Sequence, residues 1–422
     1  MNYLLVAGRK VASVSLLSLI LAGPLTATAA TGDISAVFRP DPAKPSENEF
    51  INTTPPSGFC RSWPTRCAAL GIFSLALPIT FQSTKAIEAN HSDSRQGAML
   101  KVPGDWRALQ VTHSGTGESH EVSVRISAIG ATYRLTPGAQ ELVGGGVSVR
   151  QAHMMLWAGG VWNRAPSPCS EGSTEEFYYG GNAFEFFWRT PQQDAACTKQ
   201  AKYLIPAFLY HEMSYGYQLR TPNPLKMSSG HYTGTLTYTV GPGQDFDMGD
   251  VMLPDDSILT LNFNLEVQHT LKVEVPPGGN RVELVPQEGW QSWLNSGRKP
   301  TRLFRDQRFH ISASSRFKMG LECQYVSGNT CAISETSSGH QVPVNVSVTL
   351  PQGLTDGANQ PVDRRPLLLD GSGTELFQPS FYLDRKSGML HFEVDRSSVE
   401  DMLDSGAKAY TGNVTVIWDS EV

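Results

Sequence analysis

The chain has 422 residues and a formal net charge of −6, with 39 glycines, 27 prolines and only 18% charged residues. That acidic balance, with no basic run, gives no reason to expect a nucleic-acid partner. Beyond the first thirty positions no segment approaches the roughly 20 apolar residues that span a bilayer as a helix. Turn-rich sequence with abundant Val, Thr and Tyr suits many short strands better than helices, which predicts an all-β fold.

In chain order, Arg9 and Lys10 precede an apolar run from Val11 to Leu25 and the small-residue stretch Ala27-Thr28-Ala29-Ala30. This pattern predicts a secretory leader over residues 1–30, cut after Ala29 or Ala30, and an exported, soluble mature chain. About 390 residues then remain, enough for two ordinary domains or one large sandwich. Residues 31–58 are dense in Pro, Asn and Ser and read as a tether, or a strand leading into the fold, rather than core.

The first clear strand runs from Ile72 to Phe81 and a second from His120 to Ile126, where Val122, Val124 and Ile126 alternate with polar residues. Gly144 to Gly146 mark a turn, and Val147 to Leu156 is expected to be a strand. An aromatic stretch follows: Phe177, Tyr178, Tyr179, Phe184, Phe186, Phe187 and Trp188. Core packing is the preferred reading, and a loop that stacks on sugar rings is the alternative.

The chain then states one phrase twice, YTGTLTYTV from Tyr232 to Val240 and YTGNVTVIW from Tyr410 to Trp418. Both copies alternate with the period of a half-buried strand, which predicts two β-domains, each closed by an equivalent strand. The second copy lies near the end of the sequence, so its domain is expected to need a strand from another chain. The boundary is placed near 250–257, with domains at 31–250 and 251–422. In the second, Ile258 to Val275 reads as two near-continuous strands. They are followed by strands at Arg281 to Val285, Phe309 to Ala313, Phe317 to Tyr325, Val342 to Leu350 and Met389 to Val394. A short helix is expected from Ser397 to Leu403, capped by Ser397 or Ser398 ahead of Glu400.

Six cysteines form three neighbouring pairs: Cys60 with Cys67, Cys169 with Cys197, and Cys323 with Cys331. In an oxidising compartment disulfides are expected, nearest-neighbour pairing being the economical arrangement, although sequence leaves the connectivity open. No spacing suits a zinc site.

Catalytic patterns are missing. There is no G-x-S-x-G elbow, and His211-Glu212 fails as a zincin start because Tyr215 stands where the second ligand belongs. Asp245, Asp247 and Asp250 could bind calcium, but an acidic turn explains them better. Glu175, Glu176 and Glu185 among aromatics suggest a glycosidase cleft, or equally charges beside a core strand. No catalytic residue, metal or cofactor is expected, and the protein is read as not an enzyme.

Several ordered features form a larger pattern. The Cys60/Cys67 pair sits just before an apolar strand carrying Leu77-Pro78, and a second pair encloses a longer excursion. LNFNLEVQHTLKVEVP then precedes VELVPQEGW, and a Y-x-G-x-V/I-x-V/I strand comes last. In this order the chain resembles the two-domain tip adhesins of chaperone–usher fimbriae, in the alternate, colonization-factor class that includes CblD-like initiators. It is also similar in layout to the tip adhesin of the common pilus.

The resemblance implies two immunoglobulin-like sandwiches in tandem, a receptor-binding domain followed by an incomplete pilin domain that lacks its final strand. It further implies a periplasmic chaperone, an outer-membrane usher, a major pilin joined by donor-strand exchange and a host receptor, with glycans among the expected classes. The location implied is the fimbrium tip. Val414, Val416 and Trp418 would wall the donor groove. Where the family has basic residues after the first domain's closing strand, this chain has the acidic GPGQDFDMGD, so the receptor chemistry is expected to differ. Arg125 and Arg134 lie in a region loosely parallel to another basic stretch of the family's binding domain, and are otherwise ordinary solvated strand residues. A non-adhesive pilus initiator and a secreted glycan-processing enzyme are the alternatives. Residues 31–58 could also donate a strand to another copy.

Overall fold

The computed structural model describes residues 30–171, 178–406 and 409–420; the expected leader falls outside them as far as position 29. The protein is all-β, with short helices, and its strands surround two separate hydrophobic cores.

The first core is organised by a 13-stranded sheet. Its backbone is the 18-residue strand Ser119–Thr136, which has two successive partners on one edge. Arg107–His113 pairs with its first half and Ala183–Arg189 with its second. The strand Ala207–Arg220 runs along the other edge. Val122, Val124 and Ile126 point into the core as the alternation predicts, but from Ser127 to Tyr133 both faces are buried. There the helices Phe59–Ser62 and Pro64–Leu70, clipped together by the Cys60–Cys67 disulfide, cover the outer face. Phe59 stacks on Phe187 with ring centres 4.0 Å apart.

The segment expected to be a tether, or a strand leading into the fold, begins as a strand, and that strand is partly core. Ala30–Phe38 is a strand with Ile34, Ala36 and Phe38 buried. It pairs in parallel with Ile258–Val267, from Ala30 opposite Leu259 to Phe38 opposite Val267. Only the residues after Phe38 fit the Pro- and Ser-rich reading. The interspersed Gly, Asp and Ser hid its place in the core, because that burial depends on the sheet it joins.

The domain boundary also moves. Ile258–Val267 pairs with Gly230–Thr239 and with Ala30–Phe38, and buries Leu259, Leu261, Phe263, Leu265 and Val267 in the first core. The division expected near 250–257 therefore falls inside the first sheet, and the chain changes core only at residues 268–270. No turn residue marks that place. His269 fastens it: Nε2–H donates to the Met227 carbonyl (2.8 Å), while Nδ1 lies 3.2 Å from the Ser314 hydroxyl.

The stretch expected as a strand at Val147 to Leu156 is a helix, Val149–Leu156. Ser148 caps it by accepting from the Gln151 N–H, and Ala152, His153 and Leu156 form the buried stripe. Helical spacing won over the local β-branched residues once a core face was available.

The second core lies between two layers. One is a sheet ordered Leu271–Glu274, Leu303–Ala313, Leu383–Val394, Gln341–Thr349, Thr330–Glu335 and Tyr325–Ser327. The other is the pair Lys318–Cys323 and Val414–Asp419. Phe309, Ile311, Val344, Val346, Val348 and Val394 fill the space between. The late helix is Arg396–Asp404, and its cap is Asp395, which accepts from the Ser398 N–H, rather than either serine.

Both YTG phrases have one physical cause. A Cβ on Gly234 would sit 2.4 Å from the Gln110 carbonyl oxygen, and one on Gly412 would sit 3.0 Å from that of Ala332. At each place the backbone passes too close to a neighbouring strand for a side chain. The tyrosine of each phrase anchors the corner before its strand. The Tyr232 hydroxyl lies 3.0 Å from both the Ser228 carbonyl and the Glu118 carboxylate, which share its one proton, and the Tyr410 hydroxyl meets the side chains of Ser405 and His340. Only the Tyr232 bond reaches upstream backbone; among the described residues Tyr410 is held by side chains alone.

Candidate functional site

The two YTG strands differ in their neighbours. Gly230–Thr239 has Arg107–His113 on one side and Ile258–Val267 on the other. Val414–Asp419 pairs with Lys318–Cys323, and its opposite edge has no strand beside it among the described residues. Unpaired N–H and C=O groups on such an edge are a template for another strand.

Beside that edge lies a groove of about 340 Å³, walled by Val414, Val416 and Trp418 on one side and by Val273, Val282 and Leu284 on the other. Its floor includes Phe309, Val344 and Phe392. The sequence had singled out those three residues of the final strand, and the structure brings them onto one wall, two positions apart. Thr415 and Ile417 face the other way and are exposed. Trp418 is held by Phe309 (ring centres 5.0 Å apart, edge-on) and Phe317 (5.7 Å). The Cys323–Cys331 disulfide braces the groove's end, since Cys323 lies opposite Val414 in the pair. Cys169 pairs with Cys197, so all three bridges join sequence neighbours.

Arg125 and Arg134 are not brought together. They lie nine residues apart on one strand, which puts them about 30 Å apart. Arg134 is exposed and donates from Nε to the His211 Nε2 (2.7 Å), beside the bulge where Glu212 has φ of 49°. Arg125 is half-buried; it donates to the Gln218 side chain (2.8 Å) and to the carbonyls of Gly104 and Pro191. Burial, and then Arg220 nearby, hold its pKa below the usual arginine value.

The acidic turn is neutralised from within the chain. Arg95 binds Asp247 (2.8 Å) and Asp250 (2.7 Å), and Arg107 binds Asp245. Burial alone would push the Asp247 carboxyl up, but Arg95 and the N–H groups of Gly249 and Gly243 hold it below its ordinary value. These carboxylates serve as a staple across the first sheet. Glu185 accepts from the Trp63 indole N–H (3.3 Å); Glu175, Glu176 and Phe177 lie outside the described residues.

The aromatic stretch divides by position. Phe184, Phe186, Phe187 and Trp188 are buried, whereas Tyr178 and Tyr179 are exposed. Behind Phe184 is a polar network that sequence reading missed. The Tyr133 hydroxyl donates to His153 Nδ1 (2.8 Å), His153 Nε2–H donates to the Gly180 carbonyl (2.8 Å), and Trp157 Nε1–H donates to the Tyr133 oxygen (3.3 Å). These bonds fix the neutral tautomer of a fully buried histidine, and burial holds its pKa below the ordinary value.

A second, larger groove of about 990 Å³ opens in the first domain, lined by Phe73, Trp106, Gln218, Arg220 and the 48–50 segment. Its residues come from five separate stretches of sequence, and no local pattern marks them.

The sequence matches no protein-family model and no curated protein. Among solved structures, the chain is similar to CfaE, the adhesive subunit of the CFA/I fimbria of enterotoxigenic Escherichia coli. The identity is 10%, over 92% of each chain, with a TM-score of 0.24. It is also similar to a chaperone–tip adhesin complex of CFA/I fimbriae biogenesis (10% identity, 93% of this chain and 97% of that one, TM-score 0.23). A third is the CsuC–CsuE chaperone–tip subunit complex of the archaic chaperone–usher Csu pili of Acinetobacter baumannii (10%, 93% and 98%, TM-score 0.22). The structural neighbours are thus fimbrial tip adhesins and their chaperone complexes, at scores too low to carry an argument by themselves.

Proposed function

We propose that this protein is an exported tip subunit of a chaperone–usher fimbria, adhesive through its first domain and joined to the fibre through its second. The observation that carries this reading is the groove beside Val414–Asp419. The first domain supplies the internal standard. There the edge of the equivalent YTG strand is filled by Ile258–Val267, which buries a side chain at every second position. In the second domain the same edge is left to a strand from another chain, added along the backbone ladder and locked in register by alternate side chains.

A periplasmic chaperone would lend that strand first, and the next pilin subunit would replace it at the outer-membrane usher. The Ala30–Phe38 strand is already consumed in its own sheet. That favours a chain which receives a strand but gives none, and so a terminal position in the fibre, with a host receptor bound by the first domain. Binding rather than catalysis is the activity this reading assigns.

The test is expression of the full chain in the periplasm with and without a cognate chaperone. Chaperone-dependent solubility, and transfer of the chain from the chaperone to a pilin extension, are expected. A chain that is monomeric, stable and soluble on its own would refute the strand-acceptor role.

A further inference from the structure

The first strand of the fold starts on a carboxylate. The Ala30 N–H donates to Asp256 Oδ2 at 3.0 Å, and the other oxygen of that side chain accepts from the Ile258 N–H at 3.1 Å. Asp256 is half-buried, and its loop is held on both sides. Asp255 accepts from the N–H and the hydroxyl of Thr80, and the Ser257 carbonyl accepts from the Val240 N–H. The carboxylate is therefore fixed independently of the strand it receives. Asp245, Asp247 and Asp250 each have an arginine. No lysine or arginine pairs with Asp256 among the described residues, where both its bonds go to backbone N–H groups.

Ala30 itself is 6% exposed, stands opposite Leu259 in the parallel pair and opens the buried series that continues through Ile34, Ala36 and Phe38. A chain cut after Ala30 would lose that buried methyl and the donor to Asp256 together. A chain that kept one more residue would carry its terminus about 3.3 Å further on, away from the carboxylate. Ala27-Thr28-Ala29 puts alanine at the first and third positions before the Ala29–Ala30 bond, the small-residue pattern of leader cleavage; a cut after Ala30 would put Thr28 in the first of them. An ammonium also suits a carboxylate better than an amide does, since a hydrogen bond between ions is roughly twice as strong as a neutral one.

We propose that the Ala29–Ala30 bond is the processing site of this chain, and that the α-ammonium released there is the counterion of Asp256. A leader peptidase adds water across the amide. The Ala29 carbonyl carbon gains the oxygen and leaves as a carboxylate, while both water hydrogens end on the Ala30 nitrogen, which becomes an ammonium. Processing thereby turns a neutral backbone donor into an ion pair that fastens Ala30–Phe38 into its own sheet. A mature chain that starts inside its own sheet has no residues ahead of that strand to lend to a neighbour. The inference rests on the export reading above and is independent of the groove in the second domain.

The full chain is expressed with its own leader in a bacterial host and recovered with a strand-donating peptide in its second domain. Intact mass and N-terminal sequencing then read its first residue, which is expected to be Ala30. The ion pair is read from the rate at which an amine-acylating reagent modifies the α-amine at neutral pH, because a neighbouring carboxylate leaves less of the reactive free amine. Asp256→Asn keeps the side chain's shape without its charge and should speed that reaction about threefold to fivefold. The gap should narrow as salt is raised, which a merely structural loosening would not do. Asp33→Asn is the control: that exposed carboxylate lies three residues along the same strand and accepts from Asn262, so the rate should stay at the parent's. A mature chain that starts at any other residue, or an Asp256→Asn chain whose α-amine reacts at the parent's rate or whose gap ignores salt, would overturn the inference and leave the groove reading intact. A chain that keeps its leader would overturn it together with the export reading.

Discussion

Replacing Val416 by aspartate separates strand capture from folding. In the unfilled groove the new carboxylate stays in water, because Val416 is only half-buried on the open wall. An incoming strand would strip that water away. Loss of apolar burial costs about 1.5 kcal/mol, and desolvating an unpaired carboxylate costs several kcal/mol more. A total of at least about 4 kcal/mol corresponds to roughly a thousandfold loss of affinity. Ile417→Asp is the control one residue away. That side chain is 36% exposed on the opposite face, so the change should stay within about 0.5 kcal/mol, or threefold. The assay is fluorescence anisotropy of a labelled peptide copying residues 258–267, bound by the full chain refolded in its presence. A Val416→Asp chain that binds within threefold of the parent would refute the reasoning, as would equal losses in both variants.

Other outcomes follow from the buried polar groups. The His153 pKa is depressed by burial, so the unfolded chain takes up a proton below about pH 6.5 that the folded chain resists. Stability from this group is therefore present above that pH and lost as pH falls; His153→Gln should flatten the acid limb of a thermal-melt series while lowering stability at neutral pH by about 1–3 kcal/mol. Lys199 is 3% exposed, with Nζ donating to the carbonyls of Gly160 and Val161, and burial lowers its pKa to about 8. The unfolded chain binds the extra proton between that value and the ordinary 10.5, so stability should rise with pH across this window, a slope that Lys199→Met should abolish in urea titrations. Arg95→Gln leaves the 1%-exposed Asp247 without its cation and should cost about 2–3 kcal/mol in chemical denaturation. Added calcium should not move the parent's melting temperature, since that carboxylate is held by the chain itself.

Much of the second domain could be read from local pattern. Gln341–Thr349 alternates cleanly between buried and exposed positions, and Val414, Val416 and Trp418 share a face by parity alone. Sequence left the disulfide connectivity open, and the structure follows the economical nearest-neighbour arrangement at all three pairs. The first domain was less legible for a physical reason. Ala30–Phe38 and Ile258–Val267 lie far apart in sequence yet run side by side in parallel, and local alternation says nothing about a partner more than two hundred positions away. The same limit put the boundary inside the sheet, because the strands on either side of residues 268–270 look alike until each is assigned to its core. Val149–Leu156 shows it on a smaller scale, where a buried stripe at helical spacing outweighed β-branched residues.

The repeated phrase and the cysteine pairs showed, from composition and period alone, a disulfide-bridged β protein with two related halves. Tertiary pairing alone reveals which strand of the chain fills the first YTG edge, Ile258–Val267, and which distant residues line the groove expected beside its counterpart. The larger groove, too, exists only once Phe73, Trp106, Gln218 and Arg220 have converged from distant positions. Periodicity reports which way a side chain points, but an unpaired edge or a shared pocket depends on which strands meet, and long-range contacts decide that.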